Sequence, residues 1–217
     1  MGGPQRLSGG WRTVLEEAWA AYLHGSYPIG ACVVDTSGQV VARGRNRLGE
    51  ERRVDGVISG HGLSHAEVNA LLALPELSAD EHRALTLYTT TEPCPMCLGA
   101  LLMAGVGALA YAAADLYAGT AGLLAEHPYM NAKAVQVSRA PDDVTWACLL
   151  LGLTFHLDRG MPLDHGYLTV HREHEPRAYA AAEALHRSGA LAALRTRQAP
   201  LGEGLALLGM APAESAP

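Results

Sequence analysis

The sequence predicts an α/β fold, a mixed sheet of about five strands covered by helices on both faces, and three observations carry this. Segments with apolar residues at helical spacing alternate with β-rich runs, in the order helix, hairpin, helix, strand, helix, strand, helix, strand, helix. A tight turn between two apolar runs, at residues 35–38, marks a hairpin near the start. The 217 residues, 49% hydrophobic and 18% charged, suffice for one domain with a sizeable core plus an appendage.

Each element follows from its residues. Val14, Leu15, Ala18, Trp19, Tyr22 and Leu23 give a first amphipathic helix over residues 10–24. Residues 29–34 and 39–45 are the hairpin strands, and a polar, Gly-rich loop runs on to residue 62. A helix opened by Ser64 ends at Pro75, and a linker to Arg83 leads into the β-rich "ALTLYTT". A second apolar helix follows Cys94, and "VGALAYA" is another strand. Residues 116–126 read as helical and residues 133–138 as the fifth strand. "DDVTWACLLLGLTFHL" is a long helix with an acidic start, apolar enough to pack against the following segment or a partner. The division is a domain over residues 1–160 and an extension over 161–217: irregular at first, then one Ala-rich amphipathic helix, "RAYAAAEALHRSGALAALRTR", then a loose Pro-rich tail. No internal repeat is visible.

The formal charge of −6 lacks the basic field with which nucleic-acid binders neutralise phosphates, which disfavours tRNA as a partner. Four cysteines, Cys32, Cys94, Cys97 and Cys148, include a Cys-x-x-Cys pair that suits a metal better than a disulfide framework. This implies a reducing, cytoplasmic setting. The start "MGGPQRLSGGWRTV" has no basic-then-apolar signal pattern, and no uncharged apolar run reaches the roughly 18 residues of a membrane helix. No membrane partner is expected.

Two short motifs carry the chemistry. "SHAEVNALLAL" places His65 and Glu67 at a helix start, where an acid alone would merely favour the helix dipole. "TEPCPMCLGALLMAGV" then supplies Cys94 and Cys97 in the first turn of another helix. One imidazole and two thiolates are three zinc ligands, the number a catalytic site uses while leaving the fourth position to water. Glu67 cannot share the face of His65 in a regular helix, which suits a separate role in taking a proton from that water and passing it to a leaving nitrogen. A closed structural zinc site would need a fourth ligand, for which His61, His82 and Cys148 are the nearby candidates.

"HAE" followed by "PCPMC" resembles the His-x-Glu and Pro-Cys-x-x-Cys signature of the zinc-dependent cytidine/deoxycytidylate deaminase superfamily. "YAAADLYAGTAGLL" and "HPYMNAKAVQV" are similar to segments of bacterial tRNA adenosine deaminases, and "EPCPMCLGAL" equally to guanine deaminases, so the resemblance covers roughly residues 10–158. It implies the three-layer α/β/α cytidine-deaminase-like fold, a Zn2+ cofactor, Glu67 as proton shuttle, and a homodimer paired through the helices beside the metal. It also implies substrate contacts from Asn46, from the backbone around Ala66 and from the turn near Glu92.

The departures from that pattern bear on the substrate. The stretch "RLGEERRVDGVISGHGLS" is longer than the tRNA enzymes lead one to expect. Arg45, Arg47, Arg52 and Arg53 cluster locally, offset by Glu50, Glu51 and Asp55. Ala114 and Tyr117 flank Asp115 where basic residues would be expected. The preferred expectation is a deaminase of a free purine base or nucleoside, such as guanine, guanosine or adenosine. Alternatives are a tRNA wobble adenosine deaminase, a cytosine or cytidine deaminase, and a catalytically silent zinc-binding interaction subunit. Tyr111, Tyr117, Tyr129, Phe155, His127 and His156 are read as packing residues, and His24 and Tyr27 as structural.

Overall fold

The computed structural model describes residues 7–210. Helix α1 (Gly9–Leu23) forms where Val14, Leu15, Ala18, Trp19 and Tyr22 repeat at three- and four-residue intervals, and all five are buried. Strands β1 (Gly30–Val34) and β2 (Val40–Arg45) are the expected antiparallel hairpin. Asp35 fixes its turn, Oδ1 accepting the N–H groups of Ser37 and Gln39 at 2.9 Å each.

The polar stretch that follows is not a plain loop. It contains a second hairpin, β3 (Arg53–Asp55) and β4 (Val57–Ser59), next to helix α2 (Ala66–Leu72). Asn69 of α2 clamps it: its Oδ1 accepts from the Ile58 N–H at 2.9 Å and its Nδ2 donates to the Ile58 carbonyl at 3.0 Å. Glycine at 44 lets α2 lie directly on β2, since a Cβ there would stand 2.3 Å from the Ala70 nitrogen. The linker before Arg83 also has structure, helix α3 (Ala79–Arg83), opened by a Ser78–Glu81 capping box.

Strand β5 (Thr86–Thr91) leads to α4 (Pro95–Ala104), and β6 (Ala108–Ala113) follows. Residues 116–126 do not form one helix, because Asp115 Oδ1 captures the N–H groups of Tyr117 and Ala118 and closes a turn instead. Only α5 (Leu123–Glu126) is helical there, before α6 (Pro128–Asn131), strand β7 (Gln136–Arg139) and helix α7 (Asp142–Asp158).

The sheet order is β2-β1-β5-β6-β7, with β1 antiparallel to both neighbours and β5, β6 and β7 parallel. Alternation assigns the faces. Ala31, Val33, Leu109 and Tyr111 pack with Ala66 and Ala70 of α2 and Leu98 and Leu101 of α4. Cys32, Val34, Ala110 and Ala112 pack with α1 and α7 on the other side.

Four helices follow: α8 (Gly166–His174), α9 (Pro176–Ser188), α10 (Ala190–Thr196) and α11 (Leu201–Leu207). The segments expected to be irregular and loose thus include α8 and α11. Their sequence signal is thin because α8 buries only Leu168 and His171, and α11 only Gly204 and Leu205. The expected tail beyond residue 210 lies outside the described residues. Leu168, Tyr179, Leu191 and Leu205 join the cluster that holds Trp19, Tyr22 and Phe155, so α7 is covered by the sheet on one side and α9 on the other. That accounts for an α7 apolar all round. Among the described residues no helix is long and apolar enough to cross a membrane.

Candidate metal centre and substrate pocket

Two helix starts bring the ligands together. His65 is the N-cap of α2 and Cys94 the N-cap of α4, both with extended backbone, at ψ 155° and 170°. The extended N-cap turns each side chain out of the helical register. His65 and Glu67 therefore converge, where a helix through both would have separated them. Pro95 at N1 fits this entry into α4, needing no N–H partner at that position.

His65 Nδ1 lies 3.7 Å from Cys94 Sγ and 3.5 Å from Cys97 Sγ. Tetrahedral zinc, with bonds of about 2.3 Å to sulfur and about 2.05 Å to nitrogen, would hold those atoms about 3.6 Å apart. The donor set and its spacing therefore fit zinc. Among the described residues these three form the only such cluster. The candidate fourth ligands lie elsewhere: Cys148 is in the core on α7, His82 is on α3, and His61 Nδ1 accepts the Leu63 N–H. The geometry is a three-ligand site rather than a closed clip.

The thiols differ in their proton affinity. A hydrogen bond from Cys97, with another from His65, pulls the Cys94 thiol down to about 4, whereas that bond and burial push Cys97 up. Burial alone pushes Cys148 up to about 12, and burial is the main cause of a similar rise at Cys32. Glu67 is 3% exposed, and burial raises its carboxyl above the usual range. Its Oε1 accepts from the Thr89 hydroxyl at 3.1 Å, and its Oε2 sits 3.3 Å from Cys97 Sγ.

Beside His65 opens a cavity of about 300 Å³, lined also by Tyr27, Asn46, Thr91, Asp115, His156 and Tyr167. Asn46, only 1% exposed, accepts the Leu48 N–H on Oδ1 at 3.0 Å, and among the described residues its Nδ2 has no partner. Ala66 is buried at the first position of α2. Glu92 does not line the cavity; its carboxylate accepts the N–H groups of Ala121 at 2.9 Å and Asp115 at 3.3 Å, holding the loop that carries Asp115.

A family model for the cytidine and deoxycytidylate deaminase zinc-binding region matches residues 6–113. These residues carry the zinc-binding region of this deaminase superfamily. It is 42% identical over 110 residues to a tRNA(Ile)-lysidine synthase of Deinococcus radiodurans, covering 46% of this chain and 17% of that one. It is 33% identical over 114 residues to a tRNA-specific adenosine deaminase of Bacillus subtilis, covering 52% and 65%. The solved guanine deaminase from Nitrosomonas europaea is 26% identical, with a TM-score of 0.55, over 71% of this chain and 88% of that one. The chain thus spans less than two thirds of these two curated relatives.

The superfamily's local motifs point to His65, Glu67, Cys94 and Cys97, but they give no role to Tyr27, His156 or Tyr167. Tyr27 and His156, expected to be structural and packing residues, in fact face the cavity, and Phe155 is core, while Tyr117 and Tyr129 are exposed. One signal of this wall is present in the sequence: Gly152, inside the apolar helix α7, where glycine costs about 1 kcal/mol against alanine and so calls for a reason. That glycine lines the cavity opposite Tyr167, whose hydroxyl would stand 3.5 Å from a Cβ there.

Proposed function

We propose that the protein is a zinc-dependent hydrolytic deaminase that releases ammonia from a purine base or nucleoside. The observation that carries this is Glu67, a buried carboxylate that is not a ligand yet lies 3.3 Å from the ligand Cys97. A structural metal has no use for it.

Zinc bound by His65, Cys94 and Cys97 supplies the Lewis acidity that makes water a nucleophile at neutral pH. Thr89 holds Glu67 Oε1, which leaves Oε2 to take the proton that the attacking water gives up and to return it to the departing nitrogen. The ring carbon exchanges its C–N bond for C=O, and water supplies the oxygen. The raised proton affinity of Glu67 suits both transfers. Asn46 presents Nδ2 as a donor to a substrate acceptor.

The cavity supports a small substrate. Its volume of about 300 Å³ is at the lower end for small-molecule sites. Arg45 and Arg47 both pair with Glu50, so neither is free for a phosphate. Similarity to the Nitrosomonas guanine deaminase favours a purine. Similarity to the Bacillus tRNA-specific adenosine deaminase favours a second reading, wobble adenosine deamination. Leu72 on α2 and Met103 on α4 are exposed, which supports pairing of two copies through that face.

Ammonia release by the zinc-loaded chain, scored against free purines, pyrimidines and their nucleosides with an anticodon stem-loop in parallel, tests the reading. Turnover of a small purine is the expected result. Turnover of the stem-loop alone would replace it with the tRNA reading, and no turnover at all would overturn both.

A further inference from the structure

One wall of the cavity is built by Gly152 and His156 of α7 and Tyr167 of α8, and one side chain there has its hydrogen-bonding sense fixed. His156 Nδ1 lies 2.7 Å from the Gly152 carbonyl oxygen. A carbonyl only accepts, so Nδ1 carries the proton. Burial pushes the ring below the ordinary imidazole range, which keeps it neutral at pH 7. Nε2 is then a lone-pair acceptor. Among the described residues it has no protein partner, and it is not sealed off as His171 Nε2 is.

The ring is also held in plane. Tyr167 stacks on it with centroids 4.3 Å apart and 27° between planes, and Tyr27 covers it from a second side at 5.3 Å. Tyr167 is backed by His171 at 4.4 Å. His165 caps α8 by accepting the Tyr167 N–H at 3.2 Å, which fixes where Tyr167 starts. An aromatic ladder thus runs from the appended helix into the cavity.

We infer that His156 is a specificity-determining residue whose Nε2 accepts a hydrogen bond from an N–H of the substrate base, with Tyr167 as its positioning residue. The inference rests on the deaminase reading and narrows its substrate class. An acceptor at His156 and a donor at Asn46 select a heterocycle with an N–H on one edge and a ring acceptor on another. A base methylated at that nitrogen is rejected.

The test compares each base turned over by the zinc-loaded chain with its ring N-methyl analogues, in wild type, His156→Phe and His156→Gln. Wild type should prefer the parent base to at least one analogue. His156→Phe keeps an aromatic surface and loses the acceptor; it should raise KM about tenfold, the worth of one neutral hydrogen bond, and move KM more than kcat. It should also abolish the preference between base and analogue, which a merely structural role would leave intact. His156→Gln, with an acceptor oxygen restored, should recover part of it. Equal treatment of every base and analogue by wild type, or an unchanged preference in His156→Phe, overturns the inference while leaving the deaminase reading standing. Should no base be turned over, the deaminase reading fails; calorimetric binding of the same pairs then decides, and equal affinity or no binding overturns the inference as well.

Discussion

The Thr89 hydroxyl donates to Glu67 Oε1 at 3.1 Å, from the middle of β5 to the first turn of α2. The Glu67 carboxylate is therefore oriented by the sheet and not only by its own helix. Replacing Thr89 with valine keeps the shape and removes the donor, leaving a buried carboxylate oxygen short of a partner. We expect a loss of about 1–3 kcal/mol in unfolding free energy and a fall in kcat, with zinc content intact. Thermal melts and metal analysis of Thr89→Val check this; unchanged kcat would show that β5 does not orient Glu67.

Glu67→Gln makes the sharper separation. The amide keeps the volume and a hydrogen-bond acceptor but cannot exchange protons, so kcat should drop by about 10²–10⁴. Zinc stoichiometry and melting temperature should stay near those of the parent, because Glu67 is not one of the three clustered ligands. Loss of zinc from Glu67→Gln would instead make the carboxylate part of the metal site.

The chemistry is more legible in the sequence than the geometry that delivers it. Donor types and spacing point to His65, Cys94, Cys97 and Glu67, because zinc chemistry restricts which residues can serve. That His65 and Cys94 are N-caps depends on backbone angles, which no spacing specifies. The hairpin at Asp35 and the two-faced sheet are legible, since turn chemistry and alternation are local. His156 and Tyr167 are not: they meet only when α8 folds back on α7, and a histidine in an apolar helix looks like packing.

Arg45 and Glu50 form a largely buried pair, with side chains 11% and 18% exposed. Removing the carboxylate strands the guanidinium and also releases Arg47. Glu50→Gln should cost about 2 kcal/mol, which for a chain of this size lowers the melting temperature by about 4–8 °C. Differential scanning calorimetry decides it; a shift below a degree would mean that solvent already screens the pair.

Metal removal should be visible as stability and as thiol chemistry. At zinc a thousandfold above its dissociation constant, binding adds about 4.1 kcal/mol to folding, so chelation should lower the melting temperature clearly. Cys32 and Cys148, with thiols raised to about 12, should resist alkylation at pH 8 in the folded chain whether or not zinc is bound. Only Cys94, half-buried and with its thiol pulled down, should gain reactivity on chelation, since Cys97 is buried and its thiol is pushed up. Mass spectrometry of the alkylated protein reads this, and modification of Cys148 before unfolding would contradict the core packing of α7.

The Trp19 Nε1–H donates to the Ala199 carbonyl at 2.8 Å, joining α1 to the segment between α10 and α11. Leu168 and Leu191 are fully buried in the cluster that α1 and α7 supply. Residues 161–210 thus share the core of the preceding domain, although they lie outside the matched zinc-binding region. Ending the chain at residue 160 would strip one side of α7 and expose Tyr22 and Phe155. We expect that fragment to aggregate or to lack a cooperative melt. Leu168→Ala and Leu191→Ala in the full chain, each costing about 2–5 kcal/mol, should show the same dependence in milder form. A fragment 1–160 that binds zinc and melts cooperatively at the temperature of the full chain would refute the shared core, and the four C-terminal helices would then be dispensable for stability.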